Sequence, residues 1–372
     1  MSRNDLRSQT LDLLRFPLAV VVLMIHTFTT EGLDLRGQKF LFTDYPVFME
    51  VNHWIDGFLR GQSVPIYYFI SGFVFFLGVE MTRETYLRKF RNRVHSLVIP
   101  YFVWNIMPLL PLFLITFNPL FKNFTAGASF HFSWSSLLSC FWVYDGGLSD
   151  IPIKPEEMLY PFDVPLWFVR DLIIVVACTP LLHYLIKRFK LYFVTLLGII
   201  WFAVPYFHLK TLGFESAFFF FCWGAYMSIN RRDMLQEFGR YFKISTVGYV
   251  ALGVLHVAAA HYWPAAAPTI KQLNVLVGLL FAYNFAAWLL KRGICRVNPF
   301  LASASFFVYV SHTLVVGRVL KLLFIVFSPA SDLAILLVYI LAVVLTVLLL
   351  LGTFYLMRQY TPRLLKVVAG RK

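Results

Sequence analysis

The first apolar segment of the chain contains two ionisable residues that could do chemistry. Arg15 and His26 are eleven residues apart, and eleven helical steps of 100° bring two side chains back to within about 20° of the same direction. On a helix they would share one face, roughly 16 Å apart along the axis. His26 could serve as a general base or briefly carry a transferred group itself, or it could simply be a hydrogen-bonded interior histidine. Arg15 could bind phosphate, or it could extend to the membrane interface beside Asp12.

A second polar stripe lies late in the chain. Ser305, Tyr309 and His312 follow the i, i+4, i+7 spacing of one helix face. His312 would lie near mid-membrane, where a neutral imidazole can accept a proton or orient another group. A hydrogen bond between packed helices would explain it equally. We therefore rank His26 as the first catalytic candidate, with His312 and Tyr309 as orienting groups.

Two further charged groups have both a functional and a structural interpretation. Arg170 and Asp171 follow Trp167 near the predicted outer end of an apolar segment, and they form either an acceptor-side group or an internal ion pair. Arg91 and Arg93 belong to a basic cluster that precedes another apolar segment. This cluster is either a membrane anchor or a phosphate-binding patch, because guanidinium groups match phosphate geometry.

The composition shows what kind of protein must position these residues. Of 372 residues, 59% are hydrophobic and 14% are charged, whereas soluble domains have about 25% charged residues. The mean hydropathy is +0.70, which indicates an integral membrane protein. The four cysteines lie far apart without metal-ligand spacing, so we expect no metal. We interpret residues 1–372 as one membrane domain.

Ten apolar windows approach the length that crosses about 30 Å of hydrocarbon. They lie near residues 11–30, 64–79, 94–117, 164–186, 191–207, 212–229, 244–262, 273–290, 301–327 and 333–357. The predicted fold is all-α, a polytopic transmembrane bundle of about ten helices. Three prolines in the third window, Pro100, Pro108 and Pro111, predict kinks there.

The basic residues predict the orientation of the bundle. Most of the 33 Lys and Arg residues fall in the N-terminal segment, the C-terminal tail and alternate connections. This distribution follows the positive-inside rule and places both termini in the cytoplasm. The net charge of +14 is thus explained by topology, and we expect no nucleic-acid binding. Two outer segments are longer, residues 31–63 and 118–163. The second includes an aromatic stretch at 130–144 that is too short to span, and we expect it to lie along the membrane interface or to re-enter the membrane.

Several of these elements match a known pattern. In chain order they are Arg15 with His26, residues 64–73 (Val-Pro-Ile-Tyr-Tyr-Phe-Ile-Ser-Gly-Phe), Arg91 with Arg93, residues 165–168 (Pro-Leu-Trp-Phe), and Tyr309 with His312. They resemble the Arg-x10-His, VPxFFxxSGF, R-x-R, LWF and YxxH elements of the membrane acyltransferase family 3. Each element is short, but the ordered set extends over nearly the whole chain.

The resemblance implies an O-acyltransferase of a bacterial cytoplasmic (inner) membrane. The expected donor is cytoplasmic acyl-CoA, usually acetyl-CoA, and the expected acceptor is a hydroxyl of an extracytoplasmic or lipid-linked envelope glycan. The residues assigned to the donor are Arg15, Ser71, Arg91 and Arg93, and those assigned to the acceptor side are Trp167, Arg170 and Asp171. The acyl chain length stays open. The alternative is a polytopic transporter or flippase for a saccharide or lipid-linked precursor.

Overall fold

A computed structural model of the protein describes residues 2–28, 33–35, 38–78, 80–110, 113, 133–142, 160–207 and 213–370. Parts of the two predicted outer segments, and part of the aromatic stretch, lie outside these ranges. The helices are α1 (Arg3–Thr27), α2 (Pro46–Phe58), α3 (Ser63–Phe76), α4 (Arg83–Arg93), α5 (Ile99–Ile106), α6 (Trp134–Ser139), α7 (Trp167–Ala177), α8 (Thr179–Ala203), α9 (Phe214–Ile229), α10 (Met234–Glu237), α11 (Phe242–Tyr262), α12 (Ala267–Lys291), α13 (Pro299–Phe327), α14 (Asp332–Tyr360) and α15 (Pro362–Val368). One antiparallel hairpin joins β1 (Leu33–Leu35) to β2 (Gln38–Phe40).

Six helical stretches among the described residues are long and apolar enough to cross a membrane. They are Arg3–Thr27, Thr179–Tyr206, Met234–Tyr262, Ala267–Lys291, Pro299–Phe327 and Asp332–Tyr360. The predicted helical membrane fold is confirmed by them, whereas the count of ten stays a prediction. Helices α3, α5, α7 and α9 lie in other predicted spans with 14, 8, 11 and 16 residues.

Two predicted interruptions have a visible backbone cause. Lys190, inside α8, has a φ of 49° and a ψ of −126°, a conformation that a non-glycine residue rarely adopts. This break lies between the predicted fourth and fifth spans. Helix α5 ends at Ile106, two residues before Pro108, because proline cannot donate the helical hydrogen bond and disfavours helix at the preceding residue.

Helices α3 and α9 cross at two glycines. A Cβ atom at Gly72 would lie 2.0 Å from the carbonyl oxygen of Phe221, and one at Gly224 would lie 2.0 Å from that of Phe69. Side chains at either position would force the backbones apart, so the contact requires glycine. Small residues permit this close approach of membrane helices, where dispersion contacts drive association.

Two hydrophobic clusters organise the bundle. The larger one joins buried residues of α1, α3, α7, α9 and α13. The smaller one lies where α1 ends, and its central rings are Phe28, Phe42, Phe48, Phe324 and Tyr339. Phe48 lies 4.7 Å from Tyr339 and 4.9 Å from Phe42, measured between ring centroids. This aromatic cluster packs α2 and the segment before it against α13 and α14.

Both chain ends contact other parts of the bundle, and the N-terminus contacts a predicted inner connection. Arg3 pairs with Asp233 at 3.4 Å, which brings the N-terminus to α10. The indole of Trp104 donates a hydrogen bond to the carbonyl of Val368 at 2.8 Å, which brings α15 to α5. The contact of the N-terminus agrees with the predicted topology, while the side of the membrane stays a prediction.

Candidate active site

The two histidines singled out by the sequence lie face to face. His26 is on the last turn of α1 and His312 is on α13, and their ring centroids are 5.2 Å apart. His26 is half-buried and His312 is fully buried. Helices α1 and α13 pack together, so the pair follows from their contact. The structure thus joins the first and second catalytic candidates in one place.

The hydrogen bonding of His312 fixes which nitrogen carries the proton. Its Nδ1 lies 2.5 Å from the carbonyl oxygen of Tyr309, and a carbonyl can only accept, so Nδ1 is the donor. Among the described residues, the buried Nε2 of His312 has no hydrogen-bond partner. A neutral ring therefore presents a lone pair at Nε2, and an unpaired buried polar atom of this kind calls for an explanation.

Tyr309 connects the histidine pair to two other predicted motifs. Its hydroxyl donates a hydrogen bond to the carbonyl of Pro165 at 2.5 Å. Its ring centroid lies 5.5 Å from that of Phe168 and 6.1 Å from that of Tyr67. Four segments that are far apart in the sequence, namely α1, α3, the start of α7 and α13, meet here. Each of the four contains one of the short sequence elements described above.

Tyr67 ties α3 to the middle of α1. Its hydroxyl donates a hydrogen bond to the backbone carbonyl of Arg15 at 2.5 Å. The Arg15 guanidinium pairs with Asp12 at 2.9 Å and is partly exposed. This pairing is the structural alternative that the sequence offered for Arg15. Arg15 and His26 lie on one helix, α1, as predicted.

The basic cluster on α4 borders two open clefts. The first has a volume of about 290 Å³ and the second about 390 Å³. The first is lined by Val74, Phe75, Lys89, Asn92, Arg93 and Ser96, and the second by Arg88, Arg91, Asn92 and His95. Positive charge lines both clefts, with no acidic residue among these lining side chains. Such clefts suit an anion.

Arg93 and Lys89 stack on one aromatic ring. Arg93 lies 5.9 Å and Lys89 5.1 Å from the ring centroid of Phe75, within cation–π range. Burial and the nearby charge of Arg15 lower the pKa of Arg93. Among the described residues, no carboxylate lies within 4.0 Å of the Arg93 guanidinium. A bound anion would offset this uncompensated charge.

Ser71 lies between the clefts and the aromatic contacts. Tyr67, Ser71 and Phe75 are spaced i, i+4, i+8 on α3, so they share one face over about 12 Å. This face of α3 therefore extends from the cationic clefts towards Tyr309 and the histidine pair.

The Arg170 and Asp171 side chains form a buried ion pair at the start of α7. Arg170 Nε lies 2.9 Å from Asp171 Oδ1, with 3% and 0% of the side chains exposed. Arg170 also donates a hydrogen bond to the carbonyl of Trp142 at 2.8 Å. Trp167, the third member of this group, is half-buried. The internal ion pair considered from the sequence is thus present.

Comparison with known families decides the class of protein. The model of the acyltransferase 3 family, described as an acyltransferase domain, matches residues 9–355, nearly the whole chain. The chain belongs to this family. The resemblance drawn from its short motifs is confirmed. No curated protein and no solved structure gives a significant match. With its apolar helices, the protein is a membrane acyltransferase.

Sequence reasoning missed a buried carboxyl group in this acyltransferase. Asp163, just before the Pro165 element, accepts a hydrogen bond from the Thr313 hydroxyl at 2.9 Å. Its backbone N–H donates to Asn105 at 3.1 Å. Burial raises the pKa of the Asp163 carboxyl to about 7, against the lowering effect of the Thr313 hydrogen bond. Its place beside the motif was the signal that could have drawn attention to it.

A second missed feature of the acyltransferase is a charged network on α2. Asp56 lies 2.9 Å from His256, 2.7 Å from Lys271 and 2.8 Å from Arg60. Burial opposes its ionisation, but these partners together outweigh burial and hold the pKa of the Asp56 carboxyl well below its usual value. Arg60 is also within electrostatic reach of His26. The local sequence of α2 does not predict that Asp56 has partners on α11 and α12.

Proposed function

We propose that this membrane acyltransferase moves an acyl group, most readily acetyl, from cytoplasmic acyl-CoA to a hydroxyl of an extracytoplasmic or lipid-linked envelope glycan. The observation that carries the proposal is the convergence of four motif-bearing segments at the His26–His312 pair. Family membership favours acyl transfer over the transporter or flippase alternative. In the same proposal, residues 1–372 form one multi-pass domain of a bacterial cytoplasmic membrane, with both termini in the cytoplasm.

The CoA phosphates would bind at the α4 clefts. Arg91 is exposed beside one cleft, and the uncompensated Arg93 borders the other. Guanidinium forks bind phosphate oxygens in pairs. The acyl-bearing arm would then extend past Ser71 and the Arg15 segment towards the histidines. Support for this route comes from the shared stripe on α3 and from the uncompensated charge of Arg93.

His26 would act as the general base. It removes the proton from the acceptor hydroxyl while the hydroxyl oxygen forms a bond to the thioester carbonyl carbon. The carbon–sulfur bond breaks, and CoA leaves as a thiolate that takes up the proton. His312, with its lone pair at Nε2, and Tyr309, held by Pro165, would keep His26 and the acyl group in position.

On the acceptor side, Trp167 would contact the glycan. The Arg170–Asp171 pair lies too deep for direct contact with a large acceptor. It would hold the start of α7, and with it Trp167, in place. Aromatic side chains are suited to this task because one apolar face can pack against a sugar ring.

The experiment that tests the function compares envelope glycans by mass spectrometry. Cells without the protein should lose one O-acyl modification, and wild type should restore it. His26→Ala should not restore it, whereas His183→Ala, which removes a half-buried histidine elsewhere, should. CoA should also raise the Tm of the purified wild-type protein, because any ligand that binds the native state stabilises it. Unchanged glycan acylation together with no CoA response would contradict the proposal.

The proposed orientation has its own test. Reporter fusions at Lys154, in a predicted outer segment, and at Arg232, in a predicted inner connection, should report opposite sides of the membrane. Lys154 lies outside the described residues, so the fusion tests a part of the chain that the structure leaves open. The same side for both reporters would contradict the topology.

A further inference from the structure

Three side chains of types that can bind a metal ion converge between α2 and α11. The acyl-transfer proposal does not use this region. Glu50 and His53 lie one turn apart on α2, and His261 lies next to the last residue of α11. His261 Nε2 is 3.2 Å and His53 Nδ1 is 3.6 Å from Glu50 Oε2. One ligand atom from each residue lies within 4.8 Å of the other two.

The two separations from Glu50 fit a single small cation. Ligand atoms bound tetrahedrally at 2.0–2.1 Å, the usual Zn–N and Zn–O distance, lie about 3.3 Å from one another. The two separations from Glu50 lie on either side of this value. A purely electrostatic contact between exposed side chains needs no such three-way convergence.

The protonation state of His261 adds an independent observation. Its Nδ1 lies 2.9 Å from the carbonyl of Val257, and since a carbonyl only accepts, Nδ1 is the donor. The Nε2 lone pair of a neutral His261 ring therefore faces the Glu50 carboxylate. Two electron-rich atoms 3.2 Å apart repel each other unless a proton or a metal ion lies between them. A backbone hydrogen bond to the remaining ring N–H is also what metal-bound histidines usually have.

His53 completes the arrangement. Its Nδ1 is a buried atom with no hydrogen-bond partner among the described residues, and its ring centroid is 4.7 Å from that of His261. A divalent cation satisfies all three groups together.

We propose that Glu50, His53 and His261 form a zinc site that fastens α2 to α11. Two imidazoles and one carboxylate are a ligand set that zinc favours, with a fourth position left for water. Hard cations such as Mg²⁺ prefer all-oxygen sites. This site departs from the sequence-based expectation that the protein holds no metal.

The site would reinforce an existing link between the same helices. Farther along α2, Asp56 already contacts His256 of α11 at 2.9 Å, and Arg60 follows close to His26. A zinc ion at Glu50 would give α2 a second attachment, so that the segment leading to Arg60 keeps its position. The inference is independent of the acyl donor and acceptor.

The test is zinc binding by the full-length protein, purified in detergent with a tag that contains no histidine and then treated with a chelator. Isothermal titration and metal analysis should show one Zn²⁺ per chain, and Zn²⁺ but not Mg²⁺ should raise the Tm. His53→Asn with His261→Asn should lower zinc affinity by more than about 100-fold, since even residues that only hydrogen-bond to the metal ligands are worth about 10–100-fold. Glu50→Gln should weaken zinc binding, and α2 should remain helical.

His183→Asn is the matched control, because it removes a half-buried histidine of α8 outside the cluster. It should bind one Zn²⁺ as wild type does. Size-exclusion chromatography and circular dichroism of each variant separate loss of the site from loss of the fold. The proposal is overturned if wild type binds no stoichiometric zinc, or if the folded double variant binds zinc as tightly as wild type. The Glu50–His261 contact would then be a proton-bridged ion pair.

Discussion

The cationic clefts and the histidine pair are built from different side chains, and the proposed function gives them different tasks. At α4, Arg91 and Arg93 are permanently charged groups beside open space, which suits binding of phosphate. At the other site, the ring centroids of His26 and His312 lie 5.2 Å apart, and that of Tyr309 lies 6.1 Å from His312. Imidazole can take up and release a proton near neutral pH. Binding and proton transfer are therefore assigned to separate residues. Substitutions should affect one without the other.

The largest effect is expected at His26. His26→Ala should lower acyl transfer by about 10²–10⁴-fold, the usual contribution of a general base, with CoA affinity nearly unchanged. His26→Gln should be almost as inactive, because an amide can form hydrogen bonds but cannot take the proton. Transfer is measured with purified protein and labelled acetyl-CoA, and CoA affinity by titration. A Gln variant with near-normal turnover would leave His26 a packing role and make His312 the candidate base.

The converse substitution should weaken binding of the acyl donor without affecting the transfer step. Arg91→Ala with Arg93→Ala removes charge-assisted hydrogen bonds worth about 1.5–3 kcal/mol each, so CoA affinity should fall at least about 10–100-fold. Turnover at saturating donor should stay close to that of wild type. Lysine at both positions should restore only part of the affinity, because it lacks the planar fork. Unchanged CoA affinity in the double Ala variant would reduce the patch to a membrane anchor.

A third substitution tests the charged network of Asp56, whose member Arg60 is within electrostatic reach of His26. Asp56→Asn leaves Lys271 and Arg60 without their carboxylate, and we expect a loss of about 1.5–3 kcal/mol in unfolding free energy. Because the folded-state pKa of Asp56 is depressed, its stabilising effect is fully present above the unfolded pKa of about 3.9. It is lost only as pH falls below that value. The Tm difference from wild type should therefore persist between pH 6 and 8 and shrink as pH falls below about 4, with Glu84→Gln as the exposed control.

The smallest effect is expected at the connection between the two sites. Tyr67→Phe removes only the hydroxyl that binds the Arg15 carbonyl, which should cost about 0.5–1.5 kcal/mol. Tyr184→Phe, at an exposed tyrosine of α8, should change the Tm by much less. If Tyr67→Phe also lowers turnover without changing CoA affinity, the tie between α3 and α1 positions the acyl group as well.

Local periodicity was a reliable guide to part of this site. The Ser305–Tyr309–His312 stripe is buried on α13 because the 3.6-residue period operates within one helix. The contact of His26 with His312 joins residues 286 positions apart, and no spacing rule predicts it. Both histidines were candidates from the sequence, but their contact became visible only in the structure. Asp56 and His256 belong to none of the family motifs, and their pairing also became visible only in the structure.

The membrane fold followed from composition, whereas the number of spans stays a prediction. Hydropathy windows measure average apolarity, whereas the backbone decides where a helix ends. Helix α5 stops before Pro108, and α8 is interrupted at Lys190. These two features divide apolar segments without changing their hydropathy. The aromatic stretch at 130–144 is described only in part, where α6 is a six-residue helix.

The crossing at Gly72 and Gly224 bears on how invariance among relatives should be interpreted. Any family member that keeps this crossing must keep hydrogen in place of a side chain at both positions. These glycines should therefore vary as little as the histidines, although neither has a group that can bind or react. The glycine of the Ser-Gly-Phe element would then be constant for a steric reason, and its neighbour Ser71 must be judged separately. A position that never changes can record how closely two backbones approach rather than any step of the reaction.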